Sequence, residues 1–262
     1  MRNTKDLYSL DGRVAVVTGG RGLYGHSISL GLCEMGASAV IASRNGAKCE
    51  EYAAALRAQG YTAVGMALDL GDDESIRSFV KAVIAHFGKI DILVNNAVDR
   101  SNLTPLSTAT REQLQDSMST NLNGQILLSQ AVLEHMIPAG KGSIINIGSM
   151  RGLDCPHFPY YDKDQSVNYT TEKWAMVGMT KYMAGRYGKD GIRVNCIAPG
   201  GYNPAVSEDT ASGFAKTYLE NCPLHRWADE DDIKGPVTFL ASDASAYVTG
   251  ATLVMDGGWT IW

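Results

Sequence analysis

Of the twelve tyrosines in the chain, only Tyr169 has a lysine four positions on, in Tyr169-Thr-Thr-Glu-Lys173. On a helix such positions share a face, so a phenol and an ammonium can converge on one point. A nearby cation favours phenolate and moves a group that ordinarily titrates at about pH 10 toward the working range of a general acid/base. Twenty positions earlier, the apolar run Ser143-Ile-Ile-Asn-Ile-Gly-Ser149 ends in a hydroxyl, where a substrate carbonyl would lie. Asn121 sits in a long helical segment, and a buried asparagine inside a helix often has a bonding task. Taken singly, each piece has a plain reading: an exposed helix face, or a serine in a strand-end turn.

A second constellation lies near the start. Thr18-Gly-Gly-Arg-Gly-Leu-Tyr-Gly25 follows a β-branched run and opens a helical pattern. Gly20, Gly22 and Gly25 satisfy G-x-G-x-x-G, and Gly19, Gly22 and Gly25 give an overlapping spacing. Glycines there permit a tight turn and close approach to a pyrophosphate, whose charge a helix N-terminus stabilises. After the second strand an acidic residue would bond the adenosine ribose; this chain has Ser43-Arg44-Asn45. Arg44, with Arg21 in the glycine loop, favours NADP(H), since arginine pairs bidentately with phosphate; NAD(H) stays possible. The other reading of Arg44 is a solvated charge, or a stack on adenine that discriminates nothing. Asp69, after the third strand, either accepts from the adenine amino group or caps a helix.

Seven β-branched runs alternate with amphipathic segments and would position these groups. They are Val14–Thr18, Ala39–Ser43, Ala63–Leu68, Ile92–Asn95, Ser143–Ile147, Ile192–Ile197 and Thr252–Asp256. Several are solidly apolar, as strands are when helices cover both faces of a parallel sheet. The pattern predicts one doubly wound α/β domain over residues 1–262, its ligand crevice at the carboxyl ends of the strands.

Composition narrows the partners. The 262 residues are 45% hydrophobic and 19% charged with net charge −5, which gives no electrostatic footprint for nucleic acid or an anionic membrane. No apolar run reaches the eighteen or so residues that cross a bilayer, and the start lacks a secretory core, so the cytoplasm is the expectation. Five widely spaced cysteines read as buried free thiols, and the histidines show no metal-ligand spacing.

In order, the glycine loop, Asn95-Asn96-Ala97, Asn121, Ser149, Tyr169/Lys173 and Pro199-Gly200 resemble the short-chain dehydrogenase/reductases. Phe239-Leu-Ala-Ser-Asp243 and Val254-Met-Asp-Gly-Gly258 look like that family's C-terminal segments, so the resemblance spans nearly the whole chain. It implies a Rossmann-type domain with a seven-stranded parallel sheet, and hydride transfer between a nicotinamide and an alcohol/ketone pair. Carried over, Tyr169 exchanges the proton, Lys173 lowers its pKa and bonds the nicotinamide ribose, Ser149 polarises the carbonyl, and Asn121 holds a relay water. The cofactor set implied is Gly19, Arg21, Gly22, Leu23, Gly25, Ser43, Arg44, Asp69, Leu70, Asn96, Ala97, Tyr169, Lys173, Pro199, Gly200 and Tyr202.

Three departures from the family pattern matter. Leu23 stands where the middle glycine usually is, and Val98 replaces the glycine that completes N-N-A-G. Nineteen residues separate Ser149 from Tyr169, and the extra length falls near 154–166, beside the expected substrate site. Val98, Arg151, His157, Tyr160 and Tyr161 are the candidate substrate residues, because rings with neighbouring donors suit a polyhydroxylated molecule. An equal alternative for that insertion is a surface loop or subunit contact. A helical segment near 203–226 is expected on the substrate side.

Thr180-Lys-Tyr-Met-Ala184 and Ile192-Arg-Val-Asn-Cys-Ile-Ala-Pro-Gly-Gly201 resemble a subgroup of sugar and sugar-acid oxidoreductases, and the whole chain also resembles gluconate 5-dehydrogenases. An NADP(H)-preferring oxidoreductase acting on a sugar, sugar acid or polyol is the leading expectation. A 3-oxoacyl-thioester reductase is the alternative, and a nucleotide-binding scaffold without turnover is disfavoured by the intact catalytic set. Apolar Trp174–Met183 and the bulky end Gly257–Trp262 point to assembly, and the family resemblance to a homotetramer; a tail folded onto its own core is the other reading of the end.

Overall fold

The computed structural model describes residues 1–160, 164–202 and 213–261. Its frame is a seven-stranded parallel sheet: β1 (Val14–Thr18), β2 (Ser38–Ser43), β3 (Ala63–Ala67), β4 (Ile92–Asn95), β5 (Gly142–Ile147), β6 (Ile192–Pro199) and β7 (Thr252–Met255). In space the order is β3-β2-β1-β4-β5-β6-β7. Each strand lies within two residues of its expected bounds.

Around the sheet run α1 (Thr4–Tyr8), α2 (Leu23–Glu34), α3 (Gly46–Ala58), α4 (Asp73–Phe87), α5 (Arg111–Met118), α6 (Gly124–Ala139), α7 (Val167–Tyr187), α8 (Gly213–Asn221) and α9 (Lys234–Ala241). Of the expected segment near 203–226, Gly213–Asn221 forms helix α8, residues 222–226 are non-helical, and 203–212 lie outside the described residues.

The solid apolar runs have a direct cause. Along β1, Val14 and Val16 pack with Phe79 and Val83 of α4, Leu128 and Val132 of α6, and Met183 of α7. Ala15 and Val17 turn to the other face and meet Ile28 and Leu32 of α2 and Val237 and Leu240 of α9. Alternation thus delivers every residue to one of two cores, each large side chain adding about 1.5–3 kcal/mol.

The chain runs outward from β1 to β3, then returns to lay β4 on the opposite side of β1, in the register Ala15 to Ile92 and Val17 to Val94. The carboxyl ends of β1 and β4, at Thr18 and Asn95, therefore flank the reversal in strand order where such sheets open a crevice.

Asn121 lies in the long helical segment expected of it, whose middle is a π-helical turn, Ser119–Asn123, joining α5 to α6. One expectation is corrected, and one of two readings of the C-terminal end is favoured. Cys155 is exposed, although the other four free thiols are buried. At the C-terminal end, Trp259 is folded onto its own domain, where Trp227, Tyr218 and Trp259 stack at centroid distances of 3.9 and 4.7 Å. Ile261 stays exposed, and Trp262 lies outside the described residues.

Candidate active site

The glycine loop is held down from β4. Thr18 Oγ1 accepts from the backbone N–H groups of Asn96 and Ala97, both at 3.0 Å. Asn96 Nδ2 donates to the carbonyls of Thr18 (2.9 Å) and Gly19 (3.2 Å). Gly19 has φ +62°, and a Cβ there would lie 3.0 Å from Ala97 Cα. A Cβ on Gly25 would run into the Gly19 carbonyl. Both glycines therefore serve close packing of the turn. Gly22 caps α2 with no side-chain bond, leaving first-turn N–H groups for an anion beside Arg21 and Leu23.

A cavity of about 420 Å³ opens at this point, and the catalytic candidates meet in it. Its walls include Ser149 from the end of β5, Tyr169 and Lys173 from α7, and Pro199, Gly200 and Tyr202 after β6. Lys173 is buried, and its Nζ donates to the Ile147 carbonyl at 2.8 Å, a strand-end anchor that fixes the ammonium. It lies 5.6 Å from the Tyr169 ring centroid. Ser149 Oγ accepts from the Arg151 N–H at 3.1 Å, which leaves its hydroxyl hydrogen to donate elsewhere.

The turn after β6 is positioned from the C-terminal end. Tyr218 Oη accepts from Gly201 N–H at 2.8 Å, and burial pushes that phenol up to about 12. A Cβ on Gly201 would meet the Trp227 ring.

Asn121 does not stand open to the cavity. Its Oδ1 accepts from Asp99 N–H (2.6 Å), and its Nδ2 donates to the Asp99 carbonyl (2.9 Å), Glu172 Oε2 (3.0 Å) and Ser117 Oγ (3.2 Å).

A second hollow of about 140 Å³ shares Gly19, Ser43, Ala97 and Val98 with the first, so the two form one cleft. It holds Arg44, Asp69, Leu70, Asp99 and Thr120, the adenine end of such a site. Asp69 is no helix cap, which corrects one of its two readings: Asp72 caps α4, and Asp69 Oδ1 accepts from Gly71 N–H at 2.9 Å. Arg44 is 67% exposed and ion-paired with Asp99 at 3.0 Å. Hydrogen bonds from Ser101, with Arg44 adding attraction, hold the Asp99 carboxyl below the usual carboxylate range.

The substrate candidates scatter. Val98 lines both hollows. Arg151 is buried with its guanidinium donating to the Cys155 carbonyl at 3.4 Å, and it lines neither hollow. His157 is exposed, Tyr160 closes the short turn Phe158–Tyr160, and Tyr161 lies outside the described residues. Four residues that sequence reasoning missed line the cavity: Tyr24, Arg100, Ile147 and Gly148. The Arg100 guanidinium sits 5.9 Å from the Tyr169 ring centroid. Tyr24 packs against Tyr202 at 4.7 Å, its buried hydroxyl without a partner and its pKa raised by burial.

A larger depression of about 610 Å³ lies at the amino ends of the strands, but its charges are spent on one another. Asp243 takes Arg13 (3.1 Å) and Lys141 (3.5 Å), while Arg193 donates to Leu240 and Ser242 carbonyls. Among the described residues no group of three His, Cys, Asp or Glu side chains could hold a metal, and no helix is long and apolar enough to cross a membrane.

Known proteins match this arrangement over almost their full length. The family model described as enoyl-(acyl carrier protein) reductase matches residues 22–260. Gluconate 5-dehydrogenase of Gluconobacter oxydans is 34% identical over 259 residues, 98% of each chain. The 3-oxoacyl-[acyl-carrier-protein] reductase of Pseudomonas aeruginosa is 36% identical over 251 residues, 95% of this chain and 98% of that one. A crystal structure of a gluconate 5-dehydrogenase from Burkholderia cenocepacia, in complex with NADP and tartrate, superposes with a TM-score of 0.89 at 35% identity, covering 99% of this chain and all of that one. Likeness on that scale, on a sheet whose crevice gathers the expected groups, settles the kinship: the chain belongs to the short-chain dehydrogenase/reductase family and is an NAD(P)-dependent oxidoreductase acting on CH–OH groups.

Proposed function

We propose that the protein interconverts a secondary alcohol and a ketone on a sugar acid or related polyol, preferring NADP(H) to NAD(H). One observation carries the substrate class: Arg100, an exposed cation, lines the cavity beside the Tyr169 ring. A guanidinium there pairs with a carboxylate at one end of a substrate whose carbonyl carbon lies at Tyr169 and Ser149. The gluconate 5-dehydrogenases among the relatives act on such a molecule.

The cradle fits a dinucleotide, since the glycine turn and the uncapped start of α2 both open on one cleft. Gly19, Arg21, Gly22 and Leu23 would hold the pyrophosphate, and Pro199, Gly200, Tyr202 and Tyr24 the nicotinamide end. Arg44 would take the ribose 2′-phosphate. When bound, a nicotinamide would supply the hydride acceptor for oxidation of the alcohol carbon and the hydride donor for reduction of the ketone.

This chain's own residues handle the oxygen and its proton. In oxidation Tyr169 Oη takes the hydroxyl proton as the C–H bond breaks, and in reduction it gives that proton back. Ser149 donates a hydrogen bond to the same oxygen, so negative charge developing there meets a preset donor. Lys173, anchored on Ile147, stabilises negative charge on the phenol oxygen. Exposed Met118 on α5, Ile126 on α6 and Trp174 and Tyr182 on α7 suit contacts between copies, for which we propose a homotetramer. Free thiols suit a reducing, cytoplasmic setting.

A panel of gluconate and other sugar acids, neutral polyols and acyl thioesters, each run with both cofactors, tests the reading. Turnover of a sugar acid with NADP supports it. Reduction of a 3-oxoacyl thioester with sugar acids untouched would replace it with the acyl reductase reading.

A further inference from the structure

Helix α7 carries two polar pairs, each four residues apart. Tyr169 and Lys173 reach the cleft; one position earlier, Asn168 turns into the loop after β4 and Glu172 toward Ser117 of α5 and Asn121. Asn168 and Glu172 are both only 2% exposed. Asn168 Nδ2 donates to the Asn102 carbonyl at 2.7 Å, and its Oδ1 accepts from Thr104 N–H at 3.2 Å.

Glu172 works one step removed. It accepts from Ser117 Oγ at 2.6 Å and from Asn121 Nδ2 at 3.0 Å, and Asn121 in turn closes two hydrogen bonds on the Asp99 backbone. No cation pairs with Glu172 among the described residues. Burying a carboxylate with no cation is costly, and an alanine at this place would avoid that cost. What the carboxylate supplies is acceptor-only chemistry. Facing Nδ2 of Asn121, it fixes which way round that amide sits, so Oδ1 must face Asp99 N–H.

We propose that Asn168 and Glu172 are positioning residues, which set the 99–104 loop against α7 and thereby place Arg100 beside the Tyr169 ring. The kinetic consequence rests on the reading of Arg100 as the carboxylate partner, whereas the effect on the loop does not. Glu172→Ala deletes the acceptor and frees the Asn121 amide to turn. Glu172→Gln keeps one carbonyl for Asn121 and an amide that the rotatable Ser117 hydroxyl can accept from. Asn168→Ala cuts the direct bonds alone.

Amide hydrogen exchange on the full-length protein reads the loop without any substrate. Glu172→Ala should speed exchange at Asp99, and Asn168→Ala at Thr104, by about tenfold or more, with β5 amides unchanged. Glu172→Gln should stay within about threefold of wild type at Asp99. Should Glu172→Ala not fold, Asn168→Ala and Glu172→Gln still decide the matter. Unchanged exchange over 99–104, or a rise shared equally by β5, overturns the proposal.

Kinetics then follow. With gluconate, Glu172→Ala should raise KM by about tenfold at near-constant kcat, leave a neutral polyol's KM alone, and add nothing in an Arg100→Ala background. If Arg100→Ala itself leaves the gluconate KM unchanged, the carboxylate reading fails and the exchange result stands. If Arg100→Ala raises KM and Glu172→Ala does not, the positioning role is refuted.

Discussion

The two ends of the cleft are built differently. Around Tyr169, itself half-buried, the neighbouring groups are anchored in buried structure: Lys173 on the Ile147 carbonyl, Ser149 just past a fully buried strand, and the turn at Gly201 under an aromatic stack through Tyr218. At the other end Arg44, the residue proposed to discriminate between the cofactors, is two-thirds exposed and held by one ion pair with Asp99. The chemistry is thus specified by the same packing that specifies the fold. On the proposed reading the choice of cofactor would rest on surface charge, which one substitution can alter without touching the core.

Breaking the nicotinamide end should cost most. Tyr169→Phe removes the proton and keeps the ring, so kcat should fall by about 10²–10⁴-fold while NADPH binding, read by fluorescence titration, holds. Retained turnover would remove Tyr169 from the mechanism. At the adenine end, Arg44→Ala should weaken NADPH by about 10–100-fold, the value of hydrogen bonds between charged groups, and NADH by less than about twofold. An unchanged NADPH:NADH ratio would locate the choice elsewhere and undo the contrast between the ends.

Tyr218→Phe tests whether the buried end is structural as well as chemical. It orphans the Gly201 N–H inside the aromatic stack, a penalty of about 1–3 kcal/mol. The expected readout is a lowered denaturation midpoint together with a raised KM for cofactor, because the turn from Pro199 to Tyr202 loosens. Loss of stability with unchanged cofactor kinetics would show that the stack does not position the turn.

Much of this was legible in the sequence for a physical reason. Strands buried on both faces must be apolar throughout, and glycines are forced where Gly19 and Gly25 pack onto neighbouring backbone, so both leave unambiguous marks. Tyr169 and Lys173 announced themselves through helical spacing. The residues that escaped are those whose meaning depends on a distant partner. Nothing local says that Arg100 will stand over a phenol, that Tyr218 will hold Gly201, or that Glu172 will brace Asn121 across 51 positions. The π-helical turn at Ser119–Asn123 likewise leaves no mark in the periodicity of the sequence.

Asp99→Asn probes the weak end with the smallest change. Ser101's hydrogen bonds, then Arg44's charge, hold this carboxyl below its ordinary range in the folded protein. A group lowered on folding stabilises the native state above its unfolded pKa of about 3.9 and loses that contribution as pH falls through the lower folded value. With Arg44 mostly in solvent, the ion pair is worth under about 1 kcal/mol. The variant should therefore be slightly less stable at neutral pH, and the gap to wild type should close below about pH 4. Binding should move the other way. Removing one negative charge beside Arg44 leaves the guanidinium free for a 2′-phosphate, so NADPH should tighten by about two- to fivefold with NADH unaffected. If NADPH weakens instead, Asp99 does not compete with the phosphate but aims Arg44 at it, and the adenine end is more preorganised than its exposure suggests.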